Sequence, residues 1–188
     1  EGKGSFDKDE IFSNAAAGVI VERMGNPKLT GCHIHHGKGQ GVYVYEAGEG
    51  HFEANIIESC AESGVEVDTF GRPIFIRNTI STCTMDGVYV HNQGEGVFEE
   101  NIINGHLGLA GVHITSKGDP VLRRNRIEKC MGHGVLVTND GCGKLDENDV
   151  TQNEKAGINV EAGSKPILYW NRIYQGAGEK DTSKTNAS

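Results

Sequence analysis

Apolar residues recur along this chain in short alternating runs rather than in helical stripes. Val42-Tyr43-Val44 and Val88-Tyr89-Val90 each put two apolar side chains on one face and a different residue on the other, which is the two-residue period of a half-buried strand. Each run follows a glycine. Gly-Val/Ile-x-Val/Ile begins at Gly18, Gly41, Gly64, Gly87, Gly111, Gly134 and Gly157, 23 residues apart at every step but one, which is 24. A second column, Asn55, Asn78, Asn101, Asn125, Asn148 and Asn171, keeps the same register; stepping back from Asn55 reaches Cys32 and then Asp9. A third is apolar throughout: Phe6, Leu29, Phe52, Phe75, Phe98, Leu122, Leu145 and Leu168. The three columns share one insertion near residues 105–110. A repeat of this length built from strands alone predicts an all-β, single-stranded right-handed parallel β-helix of about eight 23-residue coils. Each coil is expected to give one strand to each of three sheets, and the hand follows from the preference of parallel connections.

The stacking explains the composition. Of 188 residues 27 are Gly and only 4 are Pro, and 36% are hydrophobic. That is a lean core for a globular domain, but inward ladders such as Val19, Val42, Val65, Val88, Val112, Val135 and Ile158 need only a narrow one. The glycine column is expected to sit in tight turns where a side chain or a negative φ is costly. A longer rhythm is superimposed: Pro27, Pro73, Pro120 and Pro166 mark one turn in alternate coils, and Gly-x-Gly marks it in the others. The repeat is already running at residue 2, so residues 1–176 read as a β-helix within a longer protein, and residues 177–188 as a disordered polar tail.

Charge and cysteine content narrow the partners. The net charge is −8, which disfavours nucleic acid and anionic membranes. Five cysteines without a CxxC pattern suggest a reducing compartment, cytoplasmic or nuclear. Cys60, Cys83 and Cys130 fall on equivalent coil positions and read as small buried hydrophobes. The alternating column Arg77, Glu100, Arg124, Glu147, beside Glu99, Arg123, Asp146, reads as cross-strand pairing.

Two clusters could carry chemistry. The outward columns of the Gly-Val-x-Val strand bring Tyr43, Tyr45, Glu66, Asp68, Tyr89, His91 and His113 onto one patch of four coils. Tyrosine is a good strand residue in its own right, but aromatic faces with carboxylates and imidazoles also suit sugar stacking, a basic peptide or acid–base chemistry. In the second cluster, His33 and His35 share an outward side, with Glu10 and Glu58 in adjacent coils, and three of the four could ligate Zn²⁺. Such clusters are mostly just solvated, so no metal or other cofactor is assigned. Gly132-His133-Gly134 sits in a turn column of mixed residues (Ala17, Gln40, Ser63, Asp86, Ala110, His133, Ala156) and is read as coincidence.

The stretches Gly87 to Asn101 and Gly118 to Ile127 resemble the right-handed β-helix repeats of F-box only protein 11, within the pectin-lyase-like class of carbohydrate-binding and sugar-hydrolysis repeats. The resemblance spans about residues 2–175. It implies substrate recognition within a ubiquitin ligase assembly. The polygalacturonases of the wider class carry Asn-x-Asp, Asp-Asp and Gly-His-Gly; here there is no Asp-Asp, and the Asp-Pro-His of the epimerases is absent because Val121 follows Asp119-Pro120. The expected function is therefore a non-catalytic binding scaffold for a protein or glycan, with end-to-end or multi-subunit contacts as a further class of partner. The rival expectations are a polysaccharide lyase, hydrolase or epimerase, and a structural element of a large assembly.

Overall fold

The computed structural model describes residues 2–175; the expected polar tail at 177–188 lies outside them. Each coil is three short strands joined by three corners. Seven coils are complete, and two strands of an eighth follow. The first sheet stacks eight strands from Ser5–Asp7 to Ile167–Tyr169, and the second stacks eight from Glu10–Phe12 to Arg172–Tyr174. The third stacks seven from Val19–Val21 to Ile158–Val160. Every pairing is parallel between neighbouring coils, in the register of the repeat: Val42 lies opposite Val65, and Phe52 opposite Phe75. Among the described residues no helix is long and apolar enough to cross a membrane.

The core is a set of axial ladders. Phe52, Phe75 and Phe98 are fully buried and stack nearly parallel, with ring centroids 4.4 and 5.3 Å apart. Ile34, Ile57, Ile80, Ile103 and Ile127 do the same for the second sheet, and the valine pairs for the third. One coil exposes both faces of such a ladder; its neighbours cover them, so stability resides in the stack.

The first corner, between the first and second sheets, is held by asparagine. The Asn101 amide nitrogen donates to Phe75 O at 2.9 Å and to Asn125 Oδ1 at 3.0 Å. Its oxygen accepts from the Asn78 backbone N–H at 2.9 Å and the Asn78 amide at 3.0 Å. The pattern runs unbroken from Asn55 to Asn171. The amides stack along the axis, but the left-handed backbone at this corner is not the asparagine's own. It belongs to the preceding residue, Ala54, Arg77, Glu100, Arg124 and Glu147, with φ between 51° and 57°. The charged column therefore occupies the left-handed corner, where Arg77 meets Glu53 and Glu100, and Arg124 meets Glu99 and Glu100.

The glycine column also has a different cause from the one expected. None of Gly18 to Gly157 in that column has a positive φ. A Cβ on Gly87 would instead lie 2.6 Å from Gly111 O in the next coil and 2.6 Å from Ile103 Cγ2. Close approach between coils, not backbone handedness, demands the glycine. All five cysteines are free, and Cys32, Cys60, Cys83 and Cys130 are buried.

Candidate functional site: a cleft where the repeat slips

The second corner, between the second and third sheets, is irregular. Its buried column reads Gly37, Cys60, Cys83, His106, Cys130 and Asn153. His106 does there what asparagine does elsewhere. Its Nδ1 accepts from the Cys83 N–H at 3.3 Å, and its Nε2 lies 3.0 Å from Ile80 O, to which it donates. Asn153 makes the same two contacts, with Cys130 and Ile127. Burial pushes the His106 pKa down to about 4, so the ring is neutral at ordinary pH.

Three residues after His106, at Leu109, comes the extra residue of the repeat. The segment Leu107-Gly108-Leu109 bulges outward there, with both leucines exposed. It forms one lip of a cleft of about 780 Å³. Met85 and Met131 extend the apolar lip, while Glu66, Tyr89 and His113 of the third sheet form the floor beside Asp86. The cleft lies beside this insertion, while the strands on either side keep the register of the repeat.

The floor is polar and largely covered. The Asp86 carboxylate accepts from the Ala110 N–H at 2.8 Å through one oxygen and lies 3.1 Å from His113 Nδ1 through the other. That contact places the His113 proton on Nδ1 and leaves Nε2 as the basic nitrogen, 3.4 Å from the Thr138 hydroxyl. The Tyr89 ring lies against both neighbouring imidazoles, 4.3 Å from His91 and 5.1 Å from His113 between centroids. Burial, then the negative charges of Glu66, Asp86 and Asp68, raise its phenol above the ordinary pKa, so it stays a proton donor. His91 Nε2 lies 3.0 Å from Glu66, whose other oxygen takes the Gln40 amide at 2.8 Å.

Beyond the cleft the same face continues. Tyr43 and Tyr45 stack at 4.6 Å, Tyr43 donates to Asp68 at 3.1 Å, and Tyr45 donates to Glu22. Burial, then the Asp68 contact, raises the Tyr43 pKa strongly. For Asp68 burial pushes upward, but hydrogen bonds from Thr69 and Asn92 and the nearby His91 outweigh it and hold the carboxyl below its usual value.

Of the seven face residues expected from the sequence, Glu66, Tyr89 and His113 line the cleft, and Tyr43, Tyr45, Asp68 and His91 adjoin it. Asp86 and the leucine lip were missed. Asp86 stood in a column that accepts almost any residue, and the available signal was the insertion one coil away. The Gly-His-Gly triplet has a packing origin. A Cβ on Gly132 would sit 1.9 Å from Leu109 O, and Gly134 belongs to the glycine column. His133 is not among the residues lining the cleft. His33, His35, Glu10 and Glu58 do meet, on the second sheet and away from the cleft.

Residues 1–109 match the family model described as right handed beta helix region, and residues 73–180 match that of periplasmic copper-binding protein (NosD). No curated protein matches the chain significantly. Among solved structures it resembles a mutant of the periplasmic alginate epimerase AlgG, with 13% identity, a TM-score of 0.79, and coverage of 91% of this chain and 46% of that one. It also resembles pectate lyase Pel9A, with 14% identity, a TM-score of 0.63, and coverage of 98% and 57%. At such identity the likeness is one of fold, and the chain spans about half the length of either structure. Both neighbours share the right-handed β-helix fold; they are an epimerase and a lyase, not F-box proteins.

Proposed function

This chain belongs to the right-handed β-helix family, and we propose that its cleft and third sheet bind a polysaccharide and act on it by acid–base chemistry, as a hydrolase, lyase or epimerase. The observation that carries this reading is the Asp86–His113–Tyr89 arrangement on the cleft floor. Asp86 orients His113 through Nδ1, Nε2 is the nitrogen left to take a proton beside the Thr138 hydroxyl, and Tyr89 is a protonated phenol next to the ring. The apolar lip of Leu107, Leu109 and Met85 suits the faces of sugar rings, and the tyrosine pairs beyond would carry further units along the stack. The epimerase and lyase named above support the same reading through their fold alone.

The cleft favours one class of glycan. Glu62, Glu66 and Asp86 line it against a single Lys or Arg, Lys155, so an uncharged or cationic chain meets less repulsion than a polyuronate. Incubation with panels of neutral, amino-sugar and uronate polysaccharides, read by reducing ends, unsaturated products and NMR of C5 configuration, tests this. Turnover should fall at least about a hundredfold in His113→Ala and in Tyr89→Phe. Turnover that survives both changes would refute the acid–base assignment.

A second reading, a non-catalytic receptor for a glycan or protein, draws on the Tyr43–Tyr45 stack lying outside the cleft. Binding without turnover, lost in Tyr43→Ala/Tyr89→Ala, is its signature.

A further inference from the structure

The outward face of the second sheet carries a cluster that the cleft does not use. Strands Glu10–Phe12, His33–His35 and Ile56–Glu58 are successive and parallel, with Glu10 opposite His33 and His35 opposite Glu58. The His33 and His35 rings stand side by side with centroids 4.0 Å apart. The carboxylates reach in diagonally from either side: Glu10 Oε1 lies 3.1 Å from His35 Nε2, and Glu58 Oε1 lies 2.9 Å from His33 Nε2. A ring nitrogen of each histidine and a carboxylate oxygen of Glu10 all fall within 4.8 Å of one another.

We propose that Glu10, His33 and His35 form a binding site for a divalent transition-metal ion of the zinc type. Two imidazoles and a carboxylate are a donor set that suits zinc, whereas calcium and magnesium prefer oxygen ligands throughout. Ligand bonds of about 2.0–2.2 Å put the corners of a tetrahedron about 3.3–3.6 Å apart, so the 3.1 Å contact is already close to one edge. The remaining closure is a side-chain movement. The His35 side chain is 12% exposed and its Glu10 partner 63%, which makes one a fixed anchor and the other a free jaw. Phe12 lies flat against the His35 ring at 5.4 Å and walls off one side. Outside the ring, His35 Nδ1 is 2.6 Å from His36 Nδ1. With an ion on Nε2, the proton moves to Nδ1 and donates to His36, the outer contact that typically orients a metal-bound imidazole. Glu58 steadies His33 in the same way. Such an ion would clasp the first coil to the second. The cluster lies outside residues 73–180, so it owes nothing to the copper-binding description of the family model matched there.

Metal-free protein titrated with Zn²⁺ should take up one equivalent, and its Tm should rise because the ion binds only the folded stack. Co²⁺ should give the intense visible bands of a four-coordinate site, and Mg²⁺ should not compete. His35→Ala should weaken zinc binding about a hundredfold and Glu10→Gln about tenfold, while His51→Ala on the first sheet leaves it unchanged. Melting without metal checks that the variants fold, and Glu10→Gln, at an exposed side chain, carries the test if His35→Ala does not. Zinc uptake that is undiminished in Glu10→Gln and in a folded His33→Ala/His35→Ala variant overturns the proposal, as does the absence of any Tm change at a hundredfold excess of zinc.

Discussion

The first and second corners of each coil solve one problem differently. Both must turn the chain by a sharp angle inside a packed wall and satisfy buried backbone groups along the way. The first corner uses asparagine in six successive coils, from Asn55 to Asn171, and those from Asn55 to Asn148 are about 1% exposed. The second uses Gly, Cys, His and Asn at the matching position, and it is where the coil lengthens and the cleft opens. Uniformity at one corner fixes the pitch and frees the other to vary. A recognition surface can be placed at a variable corner because the ladder beside it keeps every strand in register.

The largest effect expected from this comparison is at the uniform corner. Asn101→Ala strands the Asn78 N–H and the Phe75 carbonyl in the core, and should cost roughly 3–5 kcal/mol in denaturant unfolding. An effect below about 1 kcal/mol would mean that the ladder does not fix the pitch.

Next comes His106. Its folded pKa is depressed from 6.5 to about 4 by burial. Above pH 6.5 the ring is neutral in both states and its contribution is complete. As the pH falls, the unfolded chain takes up the proton first, so stability drains away until about pH 4, where the folded ring titrates too. The integrated loss is on the order of 3 kcal/mol. His106→Asn keeps both backbone contacts in the manner of Asn153 and should flatten that part of the pH profile. An unchanged profile would show that the imidazole is not the titrating group.

Deleting Leu109 restores the 23-residue spacing at the slipped corner. The stack should stay folded, while affinity for the proposed glycan ligand falls about tenfold or more, equivalent to about 1.4 kcal/mol. Retained affinity would separate the cleft from the slip. The smallest effect should come from Arg124→Gln, whose partners Glu99 and Glu100 lie on an exposed edge; its Tm should barely move.

The comparison also marks how far sequence reading reaches. Glycine, asparagine and apolar columns recur because each coil repeats the same environment, so periodicity alone exposed the three sheets and the insertion. Their physical causes were less visible. Glycine is required by the Gly111 carbonyl opposite Gly87, and the left-handed residue is Glu100 rather than Asn101; both facts depend on where the next coil sits. The tyrosine–histidine face was legible because its members align by column. Asp86 was not, since its role depends on a lengthened loop one coil away that folds back against it. A repeat shows what is shared between coils and hides what happens at a single defect.

The axial ladders have a mechanical consequence. Every strand is bonded only to its counterparts in neighbouring coils, so tension applied at the two ends loads the coils in series rather than in parallel. Pulling would peel the stack from an end, one coil per rupture, each releasing about 23 residues or roughly 80 Å of contour. The force trace becomes a ruler of equal teeth, with one tooth longer by a single residue where the cleft lies.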